Sequence, residues 1–384
     1  MDYKKFLLVG LCLPLMGCNP SAIPKFGEYI GLAKFRQQYG SDHGTHINVP
    51  AIDPAIAQEF AYVSNAQLQE INLVDTTSNY YWLSAKLTAK DKAHETVTAD
   101  GTYSIKIDFF ISRKAGTEVA PLVVQLPPLG SDPNVQEVAG KYFASQGMHS
   151  MAVYPDHNAV SLDQTVDNMG NYFIRNTIAI QQALDFVLRA TEEGKNIPYF
   201  PPYLPRIDSN QIFSFGISLG GMRNVYLLAV EPRICHGTIV MGGADLSSVI
   251  AHSREPAVVK YRNHWTQKLL EAGKIPDGSE LSFETYLRGV FKIDTLSLAE
   301  WVPSHKASQV ISKNDTVVAT DRQIQLWQAL GEPAMATASW PYYDLIHFPE
   351  KWPLGHFDIA FVQNSMLKFA VKEFNGQTCN AILK

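Results

Sequence analysis

Apolar and polar positions along the chain change period in a regular way, and the changes predict strands and helices in turn. Within Thr102–Ser112, Ile105, Ile107, Phe109 and Ile111 alternate with Lys106, Asp108 and Phe110, close to the period of two that a strand shows. Gln69–Val74 and Tyr80–Thr88 read as two earlier strands, either the antiparallel leading strands of the sheet or a small N-terminal β unit. Pro121–Leu126 is a continuous apolar strand, Val138–Gln146 a helix and Ser150–Tyr154 a further strand. In Thr177–Glu193 the apolar residues Ile178, Ile180, Ala183, Leu184, Val187 and Leu188 make a helix face, which Gly194 ends. Ile212–Phe215, Met222–Val230 and Thr238–Met241 then give strand, helix and strand. This alternation predicts an α/β protein with a mostly parallel, doubly wound sheet and right-handed crossovers.

The alternation breaks from Leu246 to about Pro303, where mostly helical segments carry Trp265, Phe283, Tyr286, Phe291 and Trp301. It resumes with a strand at Val310–Ser312, a helix at Gln323–Leu330, a strand at Ala338–Leu345 and a closing helix at Ile359–Phe374. No internal repeat is evident.

The N-terminus follows a different logic. Lys4 and Lys5 precede an apolar run from Phe6 to Met16, too short to span a bilayer but suited to the apolar region of a signal peptide. The run ends in Leu15-Met16-Gly17-Cys18, which resembles the lipobox of bacterial lipoproteins. That resemblance implies acylation of the Cys18 thiol, cleavage before it and acylation of the freed amine. Asn19 is not the aspartate that sorting rules link to inner-membrane retention, so the resemblance places the anchored protein at the outer membrane, in the bacterial cell envelope. A general secretory signal with an accidental cysteine is the other reading. The expected organisation is a signal peptide over 1–17, a tether over 18–54, the first part of the core over 55–245, a helical insertion over 246–305 and the rest of the core over 306–384.

With 384 residues, 46% of them hydrophobic and 18% charged, the chain has ample material for one large core or a core plus a small second unit. Its net charge of −5, without a block of like charge, argues against a nucleic-acid partner. His43 and His46 form an H-x-x-H, but no ligand cluster accompanies them and no metal is expected. Cys235 and Cys379 remain once Cys12 and Cys18 are set aside. They could pair in an oxidising compartment, although a buried free Cys235 beside its strand is the preferred reading.

The chemistry concentrates in Phe213-Ser214-Phe215-Gly216-Ile217-Ser218-Leu219-Gly220-Gly221, an apolar strand that runs through G-x-S-x-G into a helix. So tight a turn puts Ser218 in strained backbone with its hydroxyl above the sheet edge, and a Cβ at Gly216 or Gly220 would clash across it. Here the chain, from about Ile105 to Phe374, resembles the α/β-hydrolase superfamily and its esterase, thioesterase and dienelactone-hydrolase-like branches. The resemblance implies an α/β-hydrolase fold, a helical cap after the sixth strand and a nucleophile, acid and histidine in that chain order.

Under that order Ser218 is the nucleophile. His356, in Gly355-His356-Phe357 between the last strand and the last helix, is the base, with His347 its nearest rival. Asp315, in Asn314-Asp315-Thr316-Val317-Val318 after a strand, is the acid, and Asp245 is the alternative because some lineages place the acid there. Asp321 reads as the N-cap of the following helix. The oxyanion donors would be the Leu219 N–H and a second amide in Pro127-Pro128-Leu129-Gly130; the prolines lack an N–H, so that role falls to Leu129 or Gly130. The chain then reads as a lipid-anchored serine hydrolase of carboxylic esters or thioesters, without a cofactor. The alternatives are an inactive hydrolase-fold binding module, or a peptidase or amidase on the same fold. A prolyl-oligopeptidase-type peptidase would need a propeller that the N-terminal hundred residues cannot supply.

Overall fold

The computed structural model of the protein describes residues 25–27, 36–40, 49–115, 119–130, 133–155, 159–192, 206–313, 315–339, 358–377 and 379. Its strands are β1 (Lys25–Gly27), β2 (Gln67–Thr76), β3 (Tyr80–Lys90), β4 (Thr102–Ser112), β5 (Ala120–Leu126), β6 (His149–Tyr154), β7 (Ile207–Ile217), β8 (Ile234–Val240), β9 (Ala307–Ser312) and β10 (Ala334–Ser339). The α-helices are α1 (Pro54–Glu59), α2 (Pro133–Ser145), α3 (Met169–Glu192), α4 (Leu219–Val230), α5 (Leu246–His252), α6 (Pro256–Glu271), α7 (Glu280–Val290), α8 (Thr295–Ala299), α9 (Thr320–Ala329) and α10 (Asp358–Phe374). The strands form one ten-stranded sheet in the order β1-β10-β9-β8-β7-β5-β6-β4-β3-β2. From β6 to β10 neighbours pair in parallel, whereas β4 runs antiparallel to β6, and β2, β3 and β4 pair antiparallel in series.

The continuous apolar run of β5 has a simple cause: both faces of the sheet are covered. Leu122, Val124 and Leu126 enter the larger core with α3, α4 and the helices that follow β8. Val123 enters a second core on the opposite face, with Phe143 of α2 and Met366, Leu367 and Phe374 of α10. Phe213 of β7 stacks on Phe374 at 4.7 Å and fastens the last helix to the centre of the sheet. The parallel strands all end at one edge, and the loops there converge.

Of the two readings of the leading strands, the structure shows the first: they are antiparallel strands of the main sheet, with β2 at one edge and Leu73 and Val74 on it exposed. Other expectations are corrected. The helical stretch follows β8, the eighth strand in chain order and not the sixth that the resemblance implies; of the strands before it, only β1 is absent from the pattern read in the sequence. Strand β10 begins four residues before the expected Ala338, and the rest of that expected strand lies outside the described residues. Helix α9 starts at Thr320 with Ala319 as N-cap, so Asp321 sits in its first turn and does not cap it.

Cys235 is not a free thiol. It forms a disulfide with Cys379 across a sequence separation of 144 residues, joining the start of β8 to the segment after α10. Sequence spacing could not reveal this, because the contact exists only once α10 has packed under β8.

Among the described residues no helix is long and apolar enough to cross a membrane, and no cluster of three His, Cys, Asp or Glu side chains is placed to hold a metal ion. Cys18 and the His43/His46 pair lie outside the described residues.

Candidate active site

Strand β7 ends at Ile217 and α4 begins at Leu219, leaving Ser218 alone to turn the chain. It does so at φ 56°, ψ −118°, with its N–H donating to Val240 O at 2.7 Å and its carbonyl accepting from Met222 N at 3.0 Å. A non-glycine residue in such backbone costs on the order of 1–3 kcal/mol, and the surrounding bonds hold it there. Met241 and Asp245, just after β8, also have positive φ. Backbone strain therefore gathers at the C-terminal ends of two adjacent parallel strands.

The neighbouring glycines are spatial necessities. A Cβ on Gly216 would lie 2.2 Å from Gly220 O, across the turn as expected. A Cβ on Gly220 would lie 2.0 Å from Leu126 O and 2.7 Å from Pro127 O, so that residue is constrained by the adjacent strand and not by its own turn. Gly221 is equally confined, with Val240 O 2.8 Å from its would-be Cβ. The same contacts bring the loop after β5 against the start of α4. Leu219 is the first residue of α4, so its N–H has no acceptor within the helix. Leu129 lies in the loop beside it, half-buried against the larger core, and Gly130 turns at φ 81°.

Two strands from the elbow, after β9, Asp315 is buried. Its Oδ1 accepts from the N–H groups of Val317 (2.8 Å) and Val318 (3.1 Å), and its Oδ2 accepts from Gln323 Nε2 at 2.9 Å. Gln323 is wholly buried and also takes the Ser312 N–H on its Oε1 and donates to Val318 O. Thr320 Oγ1 donates to Ser312 O and accepts from the Asp315 N–H. One amide and one hydroxyl of α9 thus fix the whole loop that carries the aspartate. Gln323 carries no sequence signal for this, since its partners are set by how α9 docks on β9.

Asp245 is engaged differently. It is the N-cap of α5, accepting from Ser248 N at 3.2 Å, and its Oδ2 lies 2.7 Å from Arg288 Nη2 and 3.6 Å from Arg322 Nη1. Two guanidinium groups and a helix start therefore occupy this carboxylate. His356 and His347 lie outside the described residues; α10 begins two residues after His356.

The sequence matches no protein-family model and none of the curated proteins. The fold does match solved structures. It is similar to an acetyl xylan esterase from Paenibacillus sp. R4, with a TM-score of 0.55 and 15% identity, covering 88% of this chain and 98% of that one. It is also similar to acetyl xylan esterase 1 from Thermoanaerobacterium sp. JW/SL YS485, with a TM-score of 0.50, 16% identity and the same coverage. The fold is the α/β-hydrolase fold.

Proposed function

We propose that the protein is a serine hydrolase of carboxylic esters or thioesters, with Ser218 as nucleophile, His356 as base and Asp315 as acid. The carrying observation is the strained backbone of Ser218 at a strand-to-helix junction beside a close-packed second loop. The names of the structural neighbours agree with ester cleavage. In the proposed reaction Ser218 Oγ attacks the ester carbonyl as His356 takes its proton. The oxyanion is met by the N–H groups of Leu219 and Leu129, each such donor contributing about 2.7–4 kcal/mol. The tetrahedral species expels the alcohol or thiol, which receives the proton from His356. Water, deprotonated by the same base, then releases the acid and restores the serine.

Asp315 suits the acid's role better than Asp245. A carboxylate already shared by two guanidinium groups and a helix N-terminus has little field left to stabilise an imidazolium. A fluorophosphonate probe tests the reading without knowledge of the substrate. Labelling of the native protein and none of Ser218→Ala is expected; equal labelling would overturn it.

We further propose that Cys18 is acylated and holds the protein in the cell envelope, facing small-molecule esters and no nucleic acid. The Cys235–Cys379 disulfide agrees with an oxidising compartment of this kind. Intact mass spectrometry of membrane-extracted protein should give a chain beginning at Cys18 with added acyl mass, and Cys18→Ser should abolish that species. A mature mass without acyl chains would refute the anchor.

A further inference from the structure

The separation of Ser218 from Asp315 is set by what stands between them, the exit of β8. Ser218 N donates to Val240 O at the end of β8, and Met241 N donates to Val310 O of β9 at 2.8 Å. Beyond Met241 there is little room for a side chain. A Cβ on Gly242 would fall 3.0 Å from Gly221 C, in the elbow helix α4, and a Cβ on Gly243 would fall 2.7 Å from Val318 Cγ1. Val318 is one of the two residues whose N–H groups hold the Asp315 carboxylate. Gly242-Gly243 is therefore a spacer, in contact with the elbow on one flank and with the acid's loop on the other.

One side chain ties this spacer to the helix that holds the acid. Gln309 of β9, paired with Ile239 on one side and Met335 on the other, is wholly buried. Its Nε2 donates to Gly242 O at 3.2 Å and to Gln323 O at 2.9 Å. Gln323 in turn donates through its own Nε2 to Asp315 Oδ2. Two buried amides thus join the spacer beside the elbow to the carboxylate. A backbone bond from Ala244 N to Arg322 O, at 2.9 Å, links the same two segments.

Packing alone does not call for a glutamine here. The next two residues of β9, Val310 and Ile311, are apolar and just as buried. Gln309 Oε1 is buried with no hydrogen-bond partner among the described residues, so the amide carries a desolvation cost that a methionine would not. Gln323 O lies inside α9, where the helical ladder already brings it a donor, so the second bond rescues no stranded carbonyl. What the side chain does is hold two carbonyls, one from each segment, at a fixed separation.

We propose that Gln309 is a positioning residue, which keeps α9 and the β8 exit at the separation that lets Asp315 meet the histidine serving Ser218. The proposal rests on the hydrolase reading for the identity of the triad and is independent of the substrate. Without the amide, α9 and the carboxylate it carries can shift relative to the elbow. Gln309 itself touches neither Ser218 nor Asp315, so the loss falls on the chemical step and not on substrate binding.

The test is Gln309→Met, close in volume and without a donor. On p-nitrophenyl acetate kcat should fall about ten- to a hundredfold, the cost of a misplacement of about 1 Å, with KM within about threefold of native. The acid limb of kcat/KM should move to lower pH by about half a pH unit, because a carboxylate set less squarely on the imidazole stabilises its protonated form less. Tm should stay within about 3 °C of native or rise. An unchanged kcat would overturn the proposal. So would a fall in kcat with the acid limb unmoved, which is the mark of a plain packing defect. If Gln309→Met does not fold, Gln309→Asn, one methylene shorter and unable to reach both carbonyls, takes its place under the same criteria. Hydrogen exchange of the segment holding Val317 and Val318 reads the loop without catalysis: exchange about tenfold faster in the variant supports the proposal, and an unchanged rate refutes it. Native protein inert toward p-nitrophenyl acetate would remove the hydrolase reading and leave hydrogen exchange to decide whether Gln309 sets the loop.

Discussion

At the residue scale, Ser218 and the glycines around it are one device. The serine holds unfavourable backbone because Val240 O and Met222 N grip it, and the glycines let three backbone segments close on one another. Gly220→Ala pushes a methyl to 2.0 Å from Leu126 O, where no side-chain motion relieves the contact. It should lose about 3 kcal/mol or more, the upper range of overpacking, read as a lower urea midpoint at unchanged m; an unshifted midpoint would show that the β5 loop can retreat. The two aspartates separate by the same reasoning. Asp315→Asn should lower kcat about 10⁴-fold if it orients His356. Asp245→Asn keeps the helix cap and loses only its pairing to half-exposed Arg288 and to Arg322, so kcat should hold and stability fall by no more than about 1 kcal/mol. The opposite ranking of kcat would exchange their roles. The elbow was legible in the sequence because its chemistry is local, within five residues of Ser218. Gln323 and Arg288 were not, since each meets its aspartate only through the docking of another helix.

At the element scale, the order of strands and helices was legible because covering helices impose period 3.6 and a twice-buried sheet imposes apolar runs. Element ends were less so. β7 begins at Ile207, well before the apolar Ile212–Phe215, since Asp208, Ser209 and Asn210 are polar yet still in the strand. Its early residues were invisible because they lie at the sheet's irregular start: Ile207 pairs with Ala120, and the register shifts before Ile212 pairs with Leu122. The disulfide was hidden for a similar reason, as a tie between elements distant in sequence. It closes a loop of 144 residues, for which chain-entropy reasoning gives about 5 kcal/mol as an upper range. Cys379→Ser should therefore lower the unfolding free energy by a few kcal/mol, seen as a reduced denaturant midpoint. Protein treated with reductant under unfolding conditions should match it. A variant as stable as the native protein would mean that the packing of Phe374 on Phe213 alone fixes α10.

At the scale of the whole molecule, two buried histidines couple folding to pH. His149 accepts the Ser112 N–H on Nδ1 at 3.1 Å, so in the folded state that nitrogen carries no proton. His236 faces His305 O with Nδ1 at 2.8 Å and Ser308 Oγ with Nε2 at 3.1 Å, satisfied as a neutral ring. Desolvation dominates for both and lowers each imidazole from 6.5 to about 4. Depressed folded-state values mean that the unfolded chain binds more protons between these limits. Stability is thus fully present above pH 6.5 and is lost as pH falls toward 4, by about 1.4 kcal/mol per pH unit for each histidine. Unfolding free energies from urea titrations at pH 7.5, 6.5, 5.5 and 4.5 should fall with a slope approaching two protons between pH 6 and 5. His149→Gln, which keeps an acceptor for the Ser112 N–H, should remove one proton from that slope, and His236→Gln the other. A slope unchanged in both variants would place the acid sensitivity in carboxylates instead, because those remain untouched by either substitution.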